Sequence, residues 1–536
     1  MVSIAPALTN AQDMEFNVDE TGQPPAPPAD GPPSEALANA LRLYQQELYQ
    51  EAAVQFQRVV EGETQDAAAN VQKAQFFLGK CLYHLRYYQS ALAIFDEIGQ
   101  QGQGHLYFDQ TLQWLAQLAS QLPEPAGIIE KVGRYGIEQL DQFNTSESAE
   151  LYNELLFIMG RFQYGQGEFE PAIDLFGRVA TDSPLYVNAK FFEGIAYIRM
   201  RQARPAIASF RAIIDAIEGG DVEGVEDEDR MRNLAWISLA RVFYTAANRT
   251  GDDGETAIDG RLLGQAVEAW NTVDQGSEYW LPALFESSWA FFLADEYARA
   301  LGNVHTIFSP YFEDSYYPEA LVIKAVTFFV NCQIENAGAM IGLFHERYDP
   351  VRQELESLLA GFEDNTQFFE FLGQVRAGEA NLSPAVRGIV ASALSDRTLL
   401  RNVEYVRVLE GEESRLSEAP AEFQNSSLGA RILQDVAVAK SFAVDQTGDI
   451  ARGRYNRLID ELADLTNQID TVEIEILTYT RGQVAQETQD QLQGGQGTAG
   501  GDVEVDEEHQ LWEFNGEYWR DELGYYRQQV TNRCGR

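Results

Sequence analysis

Part of this chain is written twice, and that repetition limits its fold more than any other feature. In "GEFEPAIDLFGRVATDSPLYVNAKFFEGIAYIRMRQARPAIASFRAII", from Gly167 to Ile214, a small residue, an aromatic, an "AI" pair and a phenylalanine return in one order. Gly160 and Gly194 stand 34 residues apart, as do Ala172 and Ala206, Ile173 and Ile207, and Phe176 and Phe210. Two antiparallel helices approach closely only where a side chain is nearly absent. Gly160, Gly194, Ala172 and Ala206 supply those places, and the aromatics fill the space around them. One hairpin cannot bury its apolar face alone, so neighbours must stack.

The 34-residue period is that of the tetratricopeptide repeat, and its pattern drifts along the chain. Gly79, Tyr83, Tyr88, Ala91 and Phe95 repeat it, and so do Tyr44, Tyr49, Ala52 and Phe56. Further on, Ser288, Phe291, Tyr297, Ala300 and Val304 follow it, then Ala325, Phe328, Ala337 and Ile341. "RNLAWISLARVFYTAA" and "LLGQAVEAWNTV" read as a stretched hairpin around the inserted loop "NRTGDDGETAIDG". "QTLQWLAQLASQL" and "IIEKVGRYGIEQLDQF" read as a degenerate one. Strand-like alternation is scarce, and seven of the 18 prolines lie before residue 35. The expected fold is all-α: a tetratricopeptide-repeat superhelix of antiparallel hairpins over residues 35–350, with a helical C-terminal extension. Gly79, Ala91, Phe95, Gly160, Ala172, Phe176, Gly194, Ala206 and Phe210 are its structural repeat positions.

Beyond the repeats, residues 351–489 read as a helical extension in which Ser383 and Pro384 start a helix. Tyr455, Leu458, Leu462, Leu465, Ile469, Val472, Ile476 and Tyr479 make an a/d stripe. That stripe predicts either a hairpin with the 432–444 helix or a coiled-coil contact with another chain. Residues 490–507 read as a flexible Gly/Gln-rich linker. Residues 508–536 hold Trp512, Phe514, Tyr518, Trp519, Tyr525 and Tyr526, too many aromatics for a disordered tail. This segment either docks back onto the helical body or grips a partner, with Trp512, Tyr518 and Trp519 as candidate contacts.

The formal charge of −44, from 83 acidic and 39 basic residues, argues against nucleic acid and anionic membrane surfaces. It is first of all a solubility feature, and it predicts that partners held electrostatically are basic. No run of about 18 apolar residues predicts a membrane span. Cys81, Cys332 and Cys534 are far apart and odd in number, so neither a disulfide framework nor a zinc site is expected. Cys81 and Cys332 read as small buried thiols in apolar helices, and Cys534 as an incidental thiol. There is no nucleophile elbow, P-loop, HExxH or Rossmann glycine triplet. The acidic loops "EGGDVEGVEDEDR" and "GDDGETAIDG" lack the EF-hand spacing. Expected, then, are no catalytic residues, no cofactor and no metal. The expected partner is a peptide or helix of another protein in the repeat groove.

Four stretches, "FFEGIAYIRMRQARPAIASF", "ALVIKAVTFFVNCQIENA", "FQNSSLGARILQDVAVAKSFAVDQ" and "WEFNGEYWRDELGYYRQQVTNRCGR", together resemble the tetratricopeptide proteins of the myxobacterial (Glt-type) gliding-motility envelope machinery. The resemblance covers about residue 35 to the end, and WxFxGEYWxDELGxY is its most specific part. It implies a periplasmic or envelope-associated scaffold without enzymatic activity, tied to membrane complexes through its partners. It offers no catalytic residues. The first 34 residues are acidic and Pro-rich, and read as disordered. "ALTNAQD" looks like the tail of a cleavage region without a basic, apolar segment before it. Export is therefore one expectation, and a general cytoplasmic adaptor or chaperone-like protein is the other.

Overall fold

The computed structural model describes residues 31–220, 222, 224–250, 256–313, 315–394, 396–490, 510, 512 and 514–534. The proposed disordered N-terminus up to residue 30 and nearly all of the 490–507 linker fall outside them. The chain divides into two compact units. One comprises residues up to Leu115 with Leu416–Leu433, and the other comprises Ala116–Arg415 with Gln434–Arg536.

In the first unit α1 (Glu35–Gln45) pairs with α2 (Tyr49–Val60), and α3 (Ala68–His84) with α4 (Tyr88–Gln101). Then comes α5 (Phe108–Ala119), which runs across the unit boundary. The second unit continues with α6 (Ile128–Val132) and α7 (Ile137–Asp141). Its hairpins are α8 (Ala149–Gln166) with α9 (Phe169–Gly177), α10 (Tyr186–Arg199) with α11 (Ala203–Gly219), and α12 (Glu228–Ala247) with α13 (Gly260–Asn271). They are followed by α14 (Trp280–Leu293) with α15 (Tyr297–Ile307), and α16 (Glu319–Val330) with α17 (Ile334–Ala360). From α8 to α17 each helix packs on the one before it and the one after it. That is the nearest-neighbour arrangement of a repeat stack, and the fold is all-α with tetratricopeptide-type hairpins.

The small residues sit at the crossings. A Cβ built on Gly79, Gly160 or Gly194 would lie 2.7, 2.6 or 2.7 Å from the ring of Phe95, Phe176 or Phe210. All three pairs keep one sequence separation, and all three rings are fully buried. Burying one such ring stabilises by about 3 kcal/mol. Ala52, Ala91, Ala172, Ala206, Ala300 and Ala337 are fully buried on the second helices of their hairpins.

One turn geometry closes six hairpins. Its middle residue is left-handed: Glu47 (φ 61°), Arg86 (64°), Gly167 (83°), Arg201 (59°), Asp295 (59°) and Cys332 (54°). Its own N–H and that of the following residue return to the end of the first helix, as Cys332 N to Phe329 O (2.8 Å) and Gln333 N to Phe328 O (2.9 Å) show. Only Gly167 adopts this conformation freely. At the other five positions it costs about 1 kcal/mol, which the packing of both helices offsets. Cys332 thus stands in a turn between α16 and α17, not inside a helix as expected.

Three further expectations are corrected. "IIEKVGRYGIEQLDQF" does not form one long helix. It breaks into the five-residue helices α6 and α7 around Gly133 and an extended Gly136, and Gly133 lies against the Phe162 ring. The inserted loop carries a small antiparallel ribbon, β1 (Asn248–Thr250) with β2 (Thr256–Ile258), in which Asn248 pairs with Ile258. These are the only strands among the described residues.

The third correction concerns the a/d stripe. After α18 (Asn365–Ala377), α19 (Pro384–Leu394), α20 (Arg397–Glu418) and α21 (Ala421–Gln424), residues Ser427–Asp490 form one continuous 64-residue helix, α22. The 432–444 segment and the stripe share that helix, so they cannot fold back on each other. Tyr455, Leu462, Leu465, Ile469, Val472 and Ile476 are buried in the second unit, in a core with residues of α16, α17 and α18. The seam is therefore filled by this chain, not by another. Gly448 explains how α22 gets so near: a Cβ there would run into the Asn365 carbonyl at the start of α18.

Candidate protein-binding faces

The first unit presents an aromatic face built from the first helices of its hairpins. Residues 73, 77, 80 and 84 fall on one stripe of α3, because they are spaced three, four or seven apart. Lys80 lies in the middle of that stripe. Its Nζ is 4.8 Å from the Phe77 ring centroid, 5.0 Å from Tyr44 on α1, 5.1 Å from Trp114 on α5 and 5.6 Å from Phe76. At such distances each ring face attracts the cation. Burial pulls the Lys80 ammonium below the ordinary lysine range, and among the described residues no carboxylate pairs with it. At the rim, His84 stacks on Tyr49 with centroids 4.4 Å apart. Tyr44, Phe77, Lys80 and Trp114 are all half-buried, so water and partners reach them.

The second unit shows how the same chain treats cations elsewhere. Arg161 lies over the rings of Phe157 and Phe192, and Glu124 pairs with it. Glu124 also holds Arg401 at 2.7 Å. Lys190 pairs with Glu193 at 2.6 Å, and Glu193 accepts from the Ser209 hydroxyl. Arg241 grips Glu286, which also accepts the Trp270 indole N–H.

The second feature of this unit is its C-terminal segment, which docks back onto the helices. Gly524 N donates to Thr306 Oγ1 (3.0 Å), Gln528 N to Ala298 O (2.9 Å) and Arg533 N to Asn331 O (2.9 Å). Gln333 Nε2 donates to Thr531 O (2.9 Å). Gly302 lets the strip lie flat on α15, since any Cβ there would run into the Tyr526 carbonyl. Leu523 is 3% exposed and belongs to the core formed by α10–α15. A disulfide between Cys332 and Cys534, with Cα atoms 4.9 Å apart, ties the end down. This corrects the reading of both cysteines as unpaired thiols. The pairing spans 202 residues, so no local spacing announced it. Cys81 is the free thiol and is fully buried.

The candidate contacts Trp512, Tyr518 and Trp519 come together here. Trp512 stacks on Trp519 at 4.7 Å and Tyr518 on His305 at 4.6 Å. Phe514 and Tyr526 meet His305 edge-on at 4.6 and 5.2 Å. Half of Trp519 and Phe514, and three quarters of Tyr525, remain exposed. The nine repeat positions singled out from sequence are buried inside hairpins and offer no surface.

Burial among these rings, with the Lys324 ammonium nearby, pulls the His305 imidazole down to about 4. A histidine in an unfolded chain titrates near 6.5. The docked tail therefore gains stability that is complete above about pH 6.5 and is lost as pH falls toward 4. Because His305 keeps some solvent, the loss between pH 7 and pH 5 should be about 1 kcal/mol. His305→Asn should flatten that part of the curve in urea titrations followed by tryptophan fluorescence. An unchanged slope would remove His305 from the account.

Among the described residues no group of three or more His, Cys, Asp or Glu side chains is placed to hold a metal ion, and no helix is long and apolar enough to cross a membrane. No family model matches the chain, and no curated protein matches it. Among solved structures, the crystal structure of the apo form of RapI is similar at 12% identity. That match covers 66% of this chain and 95% of that one, with a TM-score of 0.31, a likeness too distant to speak to function.

Proposed function

We propose that this chain is a non-catalytic scaffold that binds other proteins, and that it works as an envelope component of a gliding-motility or related multiprotein assembly. The observation that carries the binding role is the half-buried aromatic face of α1, α3 and α5. Stacked hairpins have already buried the rings they need for stability, such as Phe56 and Phe95. Tyr44, Phe77 and Trp114 remain as apolar surface of the kind that anchors an interface. The exposed rings of the docked tail are a second such surface.

Two observations favour the envelope over the cytoplasm. Disulfides persist in oxidising compartments and are rare where thiols are kept reduced, and the Cys332–Cys534 bridge joins the tail to the repeats. The aromatic C-terminal motif is also what resembles the motility scaffolds. The competing reading is a general adaptor or chaperone-like protein that works in the cytoplasm.

Fractionation of cells that make the protein, with affinity purification under non-reducing conditions, tests this. The expected result is a processed product in the envelope fraction that brings down a stoichiometric protein, and Trp114→Ala should reduce that recovery about tenfold. An unprocessed cytoplasmic product would overturn the envelope part. Purification of the bare chain under every condition would overturn the scaffold.

A further inference from the structure

The chain has six lysines among its 39 basic residues. Lys190 and Lys440 are ion-paired. Two others, Lys73 and Lys80, lie two helical turns apart on one stripe of α3, with Phe77 between them, and among the described residues neither forms an ion pair with a carboxylate. In a chain with 83 acidic residues the opportunity for pairing is everywhere. Arg161, Lys190 and Arg431, all partly buried, each found an acid. Lys80 is partly desolvated by Tyr44, Phe76, Phe77 and Trp114, and among the described residues ring faces are what answers its charge. Ring quadrupoles offset part of the cost of removing an ammonium from water, and a carboxylate offsets more.

We propose that the face of α1, α3 and α5 recognises an acidic, apolar segment of a partner protein. An aspartate or glutamate side chain of that segment meets Lys80, and the apolar residues beside it lie on Tyr44, Phe77 and Trp114. Lys73 extends the cationic stripe along α3 toward a second acid. This rests on the binding role proposed above and names its chemistry. It also reverses what net charge alone predicts. A total of −44 selects basic partners at long range, whereas contact energy is set by the groups within a few ångströms. At the rim of the face Glu47 stands beside His84 and Tyr49. Cys81, behind the stripe, stays a neutral thiol because burial pushes its titration up.

Fluorescence anisotropy on the full chain tests this with a labelled peptide in which aspartates alternate with leucine and tryptophan. A second peptide carries asparagine in place of each aspartate, and a third carries lysine. The acidic peptide should bind about tenfold more tightly than the asparagine one, the size of one charge-assisted contact. Lys80→Gln should abolish that preference while leaving the helical circular dichroism intact, Lys80→Arg should keep most of it, and Lys73→Gln should weaken it. Equal affinity for the acidic and asparagine peptides, lost in Trp114→Ala, would overturn the acidic specificity and leave the binding face standing. Tighter binding of the lysine peptide, an unaltered preference in Lys80→Gln, or no binding by any peptide would overturn the inference outright. Co-purification of a partner that survives Lys80→Gln but not Trp114→Ala would separate its failure from that of the scaffold role.

Discussion

Gly194→Leu is expected to destabilise the second unit by about 3 kcal/mol or more, the upper range of overpacking a filled core. A Cβ at Gly194 already falls 2.7 Å from Phe210 Cε1 and 2.8 Å from Cζ. Leucine adds three more carbons in the same direction. The ring cannot retreat, because Phe210 is fully buried among α10, α11 and α12. Phe210→Ala alone should cost about 3–5 kcal/mol by leaving a cavity. In the double mutant the leucine fills that cavity, so the two costs should fall short of their sum by about 1–3 kcal/mol. Urea midpoints of the four proteins measure this coupling. Additive costs would mean that Gly194 and Phe210 do not share one contact. The same cycle applies to Gly160 with Phe176, and in the first unit to Gly79 with Phe95.

The second large effect belongs to the bridge. Closing a loop over a separation of 202 residues removes much of the freedom of the unfolded chain, and the loop-entropy model puts the stabilisation at about 5 kcal/mol. Cys534→Ser should forfeit most of that. It should also free a tail whose backbone is held by a handful of hydrogen bonds and one buried side chain, Leu523. Trp512 and Trp519 would then lose their stacking and emit at longer wavelength. Adding a reductant to the wild-type protein should reproduce the shift and have no further effect on Cys534→Ser. Cys81→Ser, which touches no bridge, should leave the tail signal alone. A wild-type spectrum indifferent to reductant would show that the tail is held without the bridge, or not held at all.

The repeat period exposed the hairpins because packing forces small residues and rings into fixed register, and register survives sequence drift. The same register held more than composition suggested. Gly160 precedes the Gly167 turn by the spacing that separates Gly194 from Arg201, Gly79 from Arg86 and Ala325 from Cys332. Carried through, it puts Cys332 in a half-buried turn, where a distant thiol can reach it. Its partner stayed hidden because bridges over long separations leave no local pattern. Gly133 and Gly136 signalled the break between α6 and α7, but their helical surroundings masked it. For α22 the stripe was legible, and what covers it was not: nothing local says that Tyr455 and Ile469 meet this chain's own α16–α18. The Lys80 box escaped for a related reason, since Tyr44, Phe77 and Trp114 come from three separate helices.

In the C-terminal motif the structure gives most letters a role within the chain. Glu517 accepts from the Trp512 indole (3.1 Å) and from Asn515 N (3.0 Å). Leu523 enters the core, and Gly524, at φ 87°, turns against the Trp280 ring. Tyr526 exchanges hydrogen bonds with the Trp519 backbone. Of the two readings the sequence left open, docking on the chain itself accounts for most of this motif, with Phe514, Trp519 and Tyr525 left facing outward.

Stacked hairpins with their own C-terminal strip sewn onto them are the core of this account, and the state of three sulfur atoms tests it most directly. Native, unreduced protein is treated with an alkylating reagent, digested and mapped by mass spectrometry. The predicted map has one cross-linked pair of peptides joining Cys332 to Cys534 within a single chain, and Cys81 modified only after denaturant is added. Free Cys332 and Cys534, a link between two chains, or rapid labelling of Cys81 in the native protein would contradict it.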